Sequence, residues 1–282
     1  MTTPAQPESK FLTVNGLRLH YLEWGGSEAP AIVCIHGYTS SAETFSGLAR
    51  HFQDRFHFIV PDVRGHGESA WSPTEDYPLS DRVADLEGIA DQLELEKFNL
   101  IGTSMGGAMA MVYAGAHPER VTRLVINDIG PDREAGSQRI MDLVARRPVE
   151  FATLEEAMAY RRQVSPVVAS RTEEDQRELA LGVLRRRPDG YWIWKMDPAY
   201  TRPSKGSPAP RPDFWAILQH LPCPTLVVWG TESDVLSEAQ ARRMVEVLPA
   251  GELLPVPGVA HAPALIEPVV LAALDRFLGG PW

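Results

Sequence analysis

The sequence predicts an α/β fold, a largely parallel sheet with helices on both faces and one inserted helical segment. Three observations carry this expectation. Short apolar runs such as AIVCI (31–35) and FHFIV (56–60) are continuous rather than alternating, as strands covered on both faces require. Stretches of helical periodicity separate these runs. The alternation stops near Gly130 and resumes after Trp215.

The elements follow in order. Behind a polar, proline-containing tail, FLTVNGLRLHYLEWG shows two alternating runs around Asn15-Gly16, a dipeptide suited to the positive φ angles of a tight hairpin. Strand, helix and strand follow at AIVCIHG, AETFSGLARHFQ and FHFIVPDVRGHG. The pattern continues with a helix at SDRVADLEGIADQLEL, a strand at FNLIGT, a helix at MGGAMAMVYAGAHP and a strand at TRLVINDI. Residues 130–215 read as several amphipathic helices, with Thr153-x-x-Glu156 and Thr172-x-x-Asp175 as capping-box starts. The segment ends in the aromatic GYWIWKMDPAY and the Pro/Ser-rich TRPSKGSPAPRP. Strand PTLVVWG, a helix after Ser237, strand GELLPVP and a helix from about Ala264 to Leu278 complete the chain. The expected organisation is a body of residues 1–129 and 216–282 with an insertion at 130–215.

Composition narrows the function. The 282 residues carry 27 Lys+Arg against 37 Asp+Glu, a net charge of −10, with 44% hydrophobic and 23% charged residues. This is a globular composition large enough for a full core, and it excludes disordered, collagen-like and small disulfide-stapled classes. The acidic excess gives no global field for phosphate backbones or anionic membrane surfaces, so neither nucleic acid nor membrane is an expected partner. The charge is uneven: residues 130–215 hold 15 Lys+Arg and 13 Asp+Glu, a net +2, and the remainder is −12. Arg185-Arg186-Arg187 reads as a solvated helix C-terminus. Cys34 and Cys223 lie beside apolar runs without metal-ligand spacing and read as buried free thiols. With no leader pattern and no apolar run of about 18 residues, the expected location is cytoplasmic.

The chemistry is concentrated in Gly102-Thr103-Ser104-Met105-Gly106-Gly107, a G-x-S-x-G pattern between a strand and a helix. A serine at so sharp a turn exposes its hydroxyl at the end of the sheet, and glycines two residues away on either side avoid collision. A serine nucleophile needs a general base oriented by an acid. His261, in Pro257-Gly258-Val259-Ala260-His261, lies between the last strand and last helix and is the only histidine after His220. For the acid, Asp234 at the end of LVVWG is favoured over Asp128 at the end of LVIND, because Ser237 with Gln240 already caps the following helix. Asp62 is expected to pair with Arg64. Donors for an oxyanion are expected from the N–H groups of Met105 and Tyr38, the latter in His36-Gly37-Tyr38. Trp71, Trp192, Trp194 and Trp215 are candidates for an apolar pocket.

Taken together, HG at 36–37, DVRGHGES at 62–69, GTSMGG at 102–107, Gly230 to Asp234 and Gly258 to His261 resemble the α/β-hydrolase fold superfamily, in its serine-nucleophile, esterase-like branch. The resemblance implies an eight-stranded, mostly parallel sheet with an antiparallel second strand. It also implies a triad of Ser104, Asp234 and His261, and a helical cap inserted after strand six. A serine at position 104 disfavours the branches with aspartate or cysteine there. The expected activity is carboxylic ester hydrolysis on a small-molecule substrate with no cofactor or metal. C–C bond or enol-lactone hydrolysis uses the same residues, while perhydrolase or acyltransferase chemistry and a non-catalytic binding role rank below. Oligomeric state is not legible in one chain.

Overall fold

At Asn15-Gly16 the chain reverses with φ of 50° and 76°, joining β1 (Glu8–Val14) to β2 (Leu17–Trp24) in register from Glu8↔Glu23 to Val14↔Leu17. The expected hairpin is present, and its first strand takes in Glu8, Ser9 and Lys10 of the tail. A computed structural model describes residues 6–202 and 210–279. The first five residues of the tail and 203–209 of the Pro/Ser-rich stretch lie outside the described residues.

β3 (Ala31–Ile35), α1 (Ser46–Phe52), β4 (His57–Pro61), α2 (Leu79–Gln92), β5 (Phe98–Thr103), α3 (Met105–Ala116) and β6 (Val121–Asn127) follow as alternating strands and helices. The inserted segment holds α4 (Ala135–Arg146), β7 (Glu150–Phe151), α5 (Leu154–Val164), α6 (Pro166–Ala169), α7 (Glu173–Val183), β8 (Leu184–Arg186) and β9 (Trp192–Trp194). Then come α8 (Phe214–Gln219), β10 (Thr225–Gly230), α9 (Glu238–Val247), β11 (Gly251–Val256) and α10 (Pro268–Leu278). The main sheet has eight strands in the order β1-β2-β4-β3-β5-β6-β10-β11. β2 is antiparallel to both its neighbours, and β4, β3, β5, β6, β10 and β11 run parallel.

Burial on both faces explains the continuous apolar runs: every residue of AIVCI, HFIVP and FNLIGT is buried. One face packs on α2, α3, α8 and α9 through Leu86, Met109, Leu218 and Met244. The other packs on α1 and α10 through Leu48, Phe52, Leu274 and Phe277. Both cysteines are free and buried. Among the described residues, no helix is long and apolar enough to cross a membrane.

Two expectations about the insertion change. Arg185 and Arg186 are strand residues, because Gly190 (φ 96°) turns the chain so that Arg187 N–H bonds Tyr191 O at 2.8 Å and β8 pairs antiparallel with β9. A three-stranded sheet, β7-β9-β8, therefore accompanies the helices. The body also resumes at Phe214, ahead of the expected boundary at 216, since Phe214 belongs to the main core and Asp213 caps α8. The caps at Thr153 and Thr172 form as expected, each side chain accepting a hydrogen bond from the third N–H beyond.

Candidate active site

Ser104 sits between β5 and α3 with φ 53° and ψ −115°, a left-handed conformation that strains a residue with a side chain. Its neighbours make the turn possible. A Cβ on Gly102 would lie 2.3 Å from Gly106 O, and one on Gly106 would lie 2.1 Å from Ile35 O. The Ser104 N–H is anchored on Asn127 O at 2.9 Å. Ser104 makes no side-chain cap to α3, so its hydroxyl remains available for other partners.

His261 supplies that partner. Its Nε2 lies 2.9 Å from Ser104 Oγ, and its Nδ1 lies 2.8 Å from Asp128 Oδ2. Asp128 is completely buried, and its other oxygen accepts the Gly230 N–H at 3.0 Å. The acid joined to His261 is thus Asp128 and not the favoured Asp234, which is a correction. Asp234 instead takes a bidentate pair from Arg139, at 2.6 Å to Nε and 3.0 Å to Nη2, and stays partly exposed. That guanidinium holds its carboxyl below the ordinary value. Asp128 reaches His261 because β6 and β10 are parallel neighbours and the backbone turns at Asp128 with φ 57°.

Asn127 is a residue the sequence reading missed. Its Nδ2 donates to Thr103 Oγ1 at 3.0 Å and to Pro263 O at 2.9 Å, tying the strand before Ser104 to the loop that carries His261. The only sequence signal was a polar residue closing the apolar run LVI at the end of its strand.

Opposite the serine lies the 36–38 loop; a Cβ on Gly37 would come within 3.5 Å of Ser104 Cβ. Gly37 O receives His36 Nδ1 at 2.8 Å and Ser40 N–H at 3.2 Å. Because a trans peptide is planar with its C=O and N–H opposed, the Tyr38 N–H points the other way. Met105 N–H, at the first helical position, has no intrahelical acceptor. His66 Nε2 donates to Tyr38 O at 2.7 Å, and burial pushes this imidazole down to about 3. Asp62, expected to pair with Arg64, is instead buried on His20 Nδ1 and the N–H groups of Ala42 and Glu68, while Arg64 pairs with Asp85 and Asp81.

Ser104 and His261 open on a cavity of about 440 Å³ walled by Gly37, Tyr38 and residues of the insertion, including Leu143, Val164, Val168 and Trp194. Of the four tryptophans, only Trp194 lines it. Trp71 donates to Lys195 O, Trp192 packs in the insertion's own core, and Trp215 donates to Asp132 under Arg243.

A doubly flanked, mostly parallel sheet with a serine on a strained strand-to-helix turn and a histidine–aspartate pair behind it defines a class, the α/β hydrolases. The match of residues 30–268 to the profile of the alpha/beta hydrolase fold makes this chain a member of that family. It is 32% identical over 273 residues to the 3-hydroxybutyrate-oligomer hydrolase of Cupriavidus necator, covering 93% of each chain. It is 30% identical over 262 residues to a putative 2-succinyl-6-hydroxy-2,4-cyclohexadiene-1-carboxylate synthase of Bacillus subtilis, covering 90% of this chain and 92% of that one. An alpha/beta hydrolase structure from Novosphingobium aromaticivorans superposes with a TM-score of 0.86 at 31% identity, over 98% of this chain and 99% of the other.

Proposed function

We propose that this protein is a serine hydrolase of carboxylic esters acting through Ser104, His261 and Asp128. The carrying observation is the unbroken hydrogen-bonded series from Ser104 Oγ through His261 to a buried carboxylate. In this reading His261 Nε2 takes the Ser104 proton as the oxygen attacks the acyl carbon. Asp128 fixes the tautomer through Nδ1–H and stabilises the imidazolium. The N–H groups of Tyr38 and Met105 receive the oxyanion. Collapse expels the alcohol with the proton from His261, which then activates water to hydrolyse the acyl-enzyme. The insertion acts as a cap that shapes the acyl and alcohol sites. An ester-cleaving role agrees with the relative named as an oligomer hydrolase. The relative named as a synthase makes non-hydrolytic substrates part of any panel.

The test is Ser104→Ala against 4-nitrophenyl esters of graded chain length, with fluorophosphonate labelling alongside. Turnover is expected to fall at least about 10⁴-fold with labelling abolished. Labelling that persists in the variant, or no labelling of the unmodified protein, would overturn the assignment.

A further inference from the structure

The cavity above Ser104 is largely apolar, yet four arginines line it: Arg139, Arg147, Arg161 and Arg171. Arg139 is engaged by Asp234. Arg147 lies 4.5 Å above the ring of Trp194. Arg161, in the last turn of α5, has its Nη1 shut away from solvent without a hydrogen-bond partner among the described residues. Arg171 leaves Nε in the same condition and, among the described residues, donates only a long 3.4 Å bond from Nη2 to Ala264 O, three residues beyond His261. The carboxylates on the described lining are Glu232 and the already paired Asp234.

A buried guanidinium with an idle N–H loses hydration without compensation, and burial lowers Arg161 to about 10. An acceptor from a ligand restores what the fold leaves unmade, and a carboxylate matches the planar fork of arginine. We infer that the cavity takes esters carrying a free carboxylate, with Arg161 as its anchor and Arg147 and Arg171 adding positive potential. This rests on the ester-hydrolase reading and names its substrate class. Anchoring the far end of the substrate would hold the scissile carbonyl at Ser104, so the gain appears in kcat/KM.

The test uses matched pairs differing only in that carboxylate. One pair is 4-nitrophenyl hydrogen glutarate and its methyl ester, with the charge on the acyl side. The other is 3-butyryloxybutanoate and its carboxamide, with the charge on the alcohol side. In at least one pair kcat/KM for the free acid is expected to exceed that of the capped partner by about 10- to 100-fold. Arg161→Gln should collapse that ratio towards unity and Arg161→Lys should restore part of it. Glutarate should also inhibit hydrolysis of 4-nitrophenyl butyrate competitively in the unmodified enzyme, a readout independent of how the variants fold. Equal turnover within both pairs, or a ratio that Arg161→Gln leaves unchanged, overturns the inference. If no ester is cleaved and no fluorophosphonate label is taken up, the ester-hydrolase reading itself has failed.

Discussion

Two aspartates follow neighbouring strands within reach of the same loop, and their environments separate them. Asp128 has no exposure and is held by His261 and Gly230; Asp234 is partly exposed and holds Arg139. Replacing Asp128 by Asn leaves the shape and removes the acceptor that sets the His261 tautomer, so kcat should drop by about 10⁴-fold. Asp234→Asn should change kcat less than about tenfold, because it breaks a partly exposed ion pair. Steady-state kinetics of both variants on one ester checks this, and a reversed ranking would return the role to Asp234. Ser104 and His261 were legible because G-x-S-x-G carries its own backbone physics and no histidine follows His220 except His261. The acid was not, because strand-end aspartates 106 positions apart look alike until β6 and β10 lie side by side. The arginine character of the cavity was equally hidden, since partners are a property of the folded chain.

At the scale of elements, the loop after β4 supports the loop after β3. His66 bonds Tyr38 O, and His36 accepts the Val63 N–H, so two buried neutral imidazoles hold the peptides beside Ser104. Burial lowers both, His66 to about 3. An unfolded histidine titrates near about 6.5. Between about pH 6.5 and about 3 the unfolded chain therefore binds the His66 proton and the folded chain does not. Stability must rise with pH across this window and be lost as pH falls, by about 1.4 kcal/mol per unit for this group. Urea unfolding between pH 6 and 4 should show a slope for His66→Gln shallower by about one proton, and equal slopes would exclude the effect. Elements with local signals were readable from sequence: the Asn15-Gly16 hairpin, the Ser104 turn and the caps at Thr153 and Thr172. β8 was not, because its three residues continue a helical pattern and become a strand only by pairing with β9.

On the scale of the whole molecule, the question is whether the insertion behaves as a separate unit. Among the described residues its own core has seven buried hydrophobic side chains, including Phe151, Leu154, Met158 and Val183, and its sheet strands are two or three residues long. So small a core is inadequate to offset the conformational entropy of the insertion's more than 70 described residues. The body supplies the remainder. Trp71 Nε1 and Tyr77 OH bond Lys195 O and Asp197, Asp197 N–H bonds Gly65 O, and Tyr200 OH bonds Arg64 O. On another side Arg50 of α1 pairs bidentately with Glu178 of α7. Tyr38 joins the two parts at the site itself, its hydroxyl on Tyr200 O and its backbone beside Ser104. The Tyr38–Tyr200 bond therefore links the seating of the insertion to the loop beside the serine. Scanning calorimetry of the full chain should give one cooperative transition in which ester turnover is lost together with the heat-absorption peak. A separate, earlier transition with turnover surviving it would show an insertion that melts independently, and would remove it from the determinants of the site.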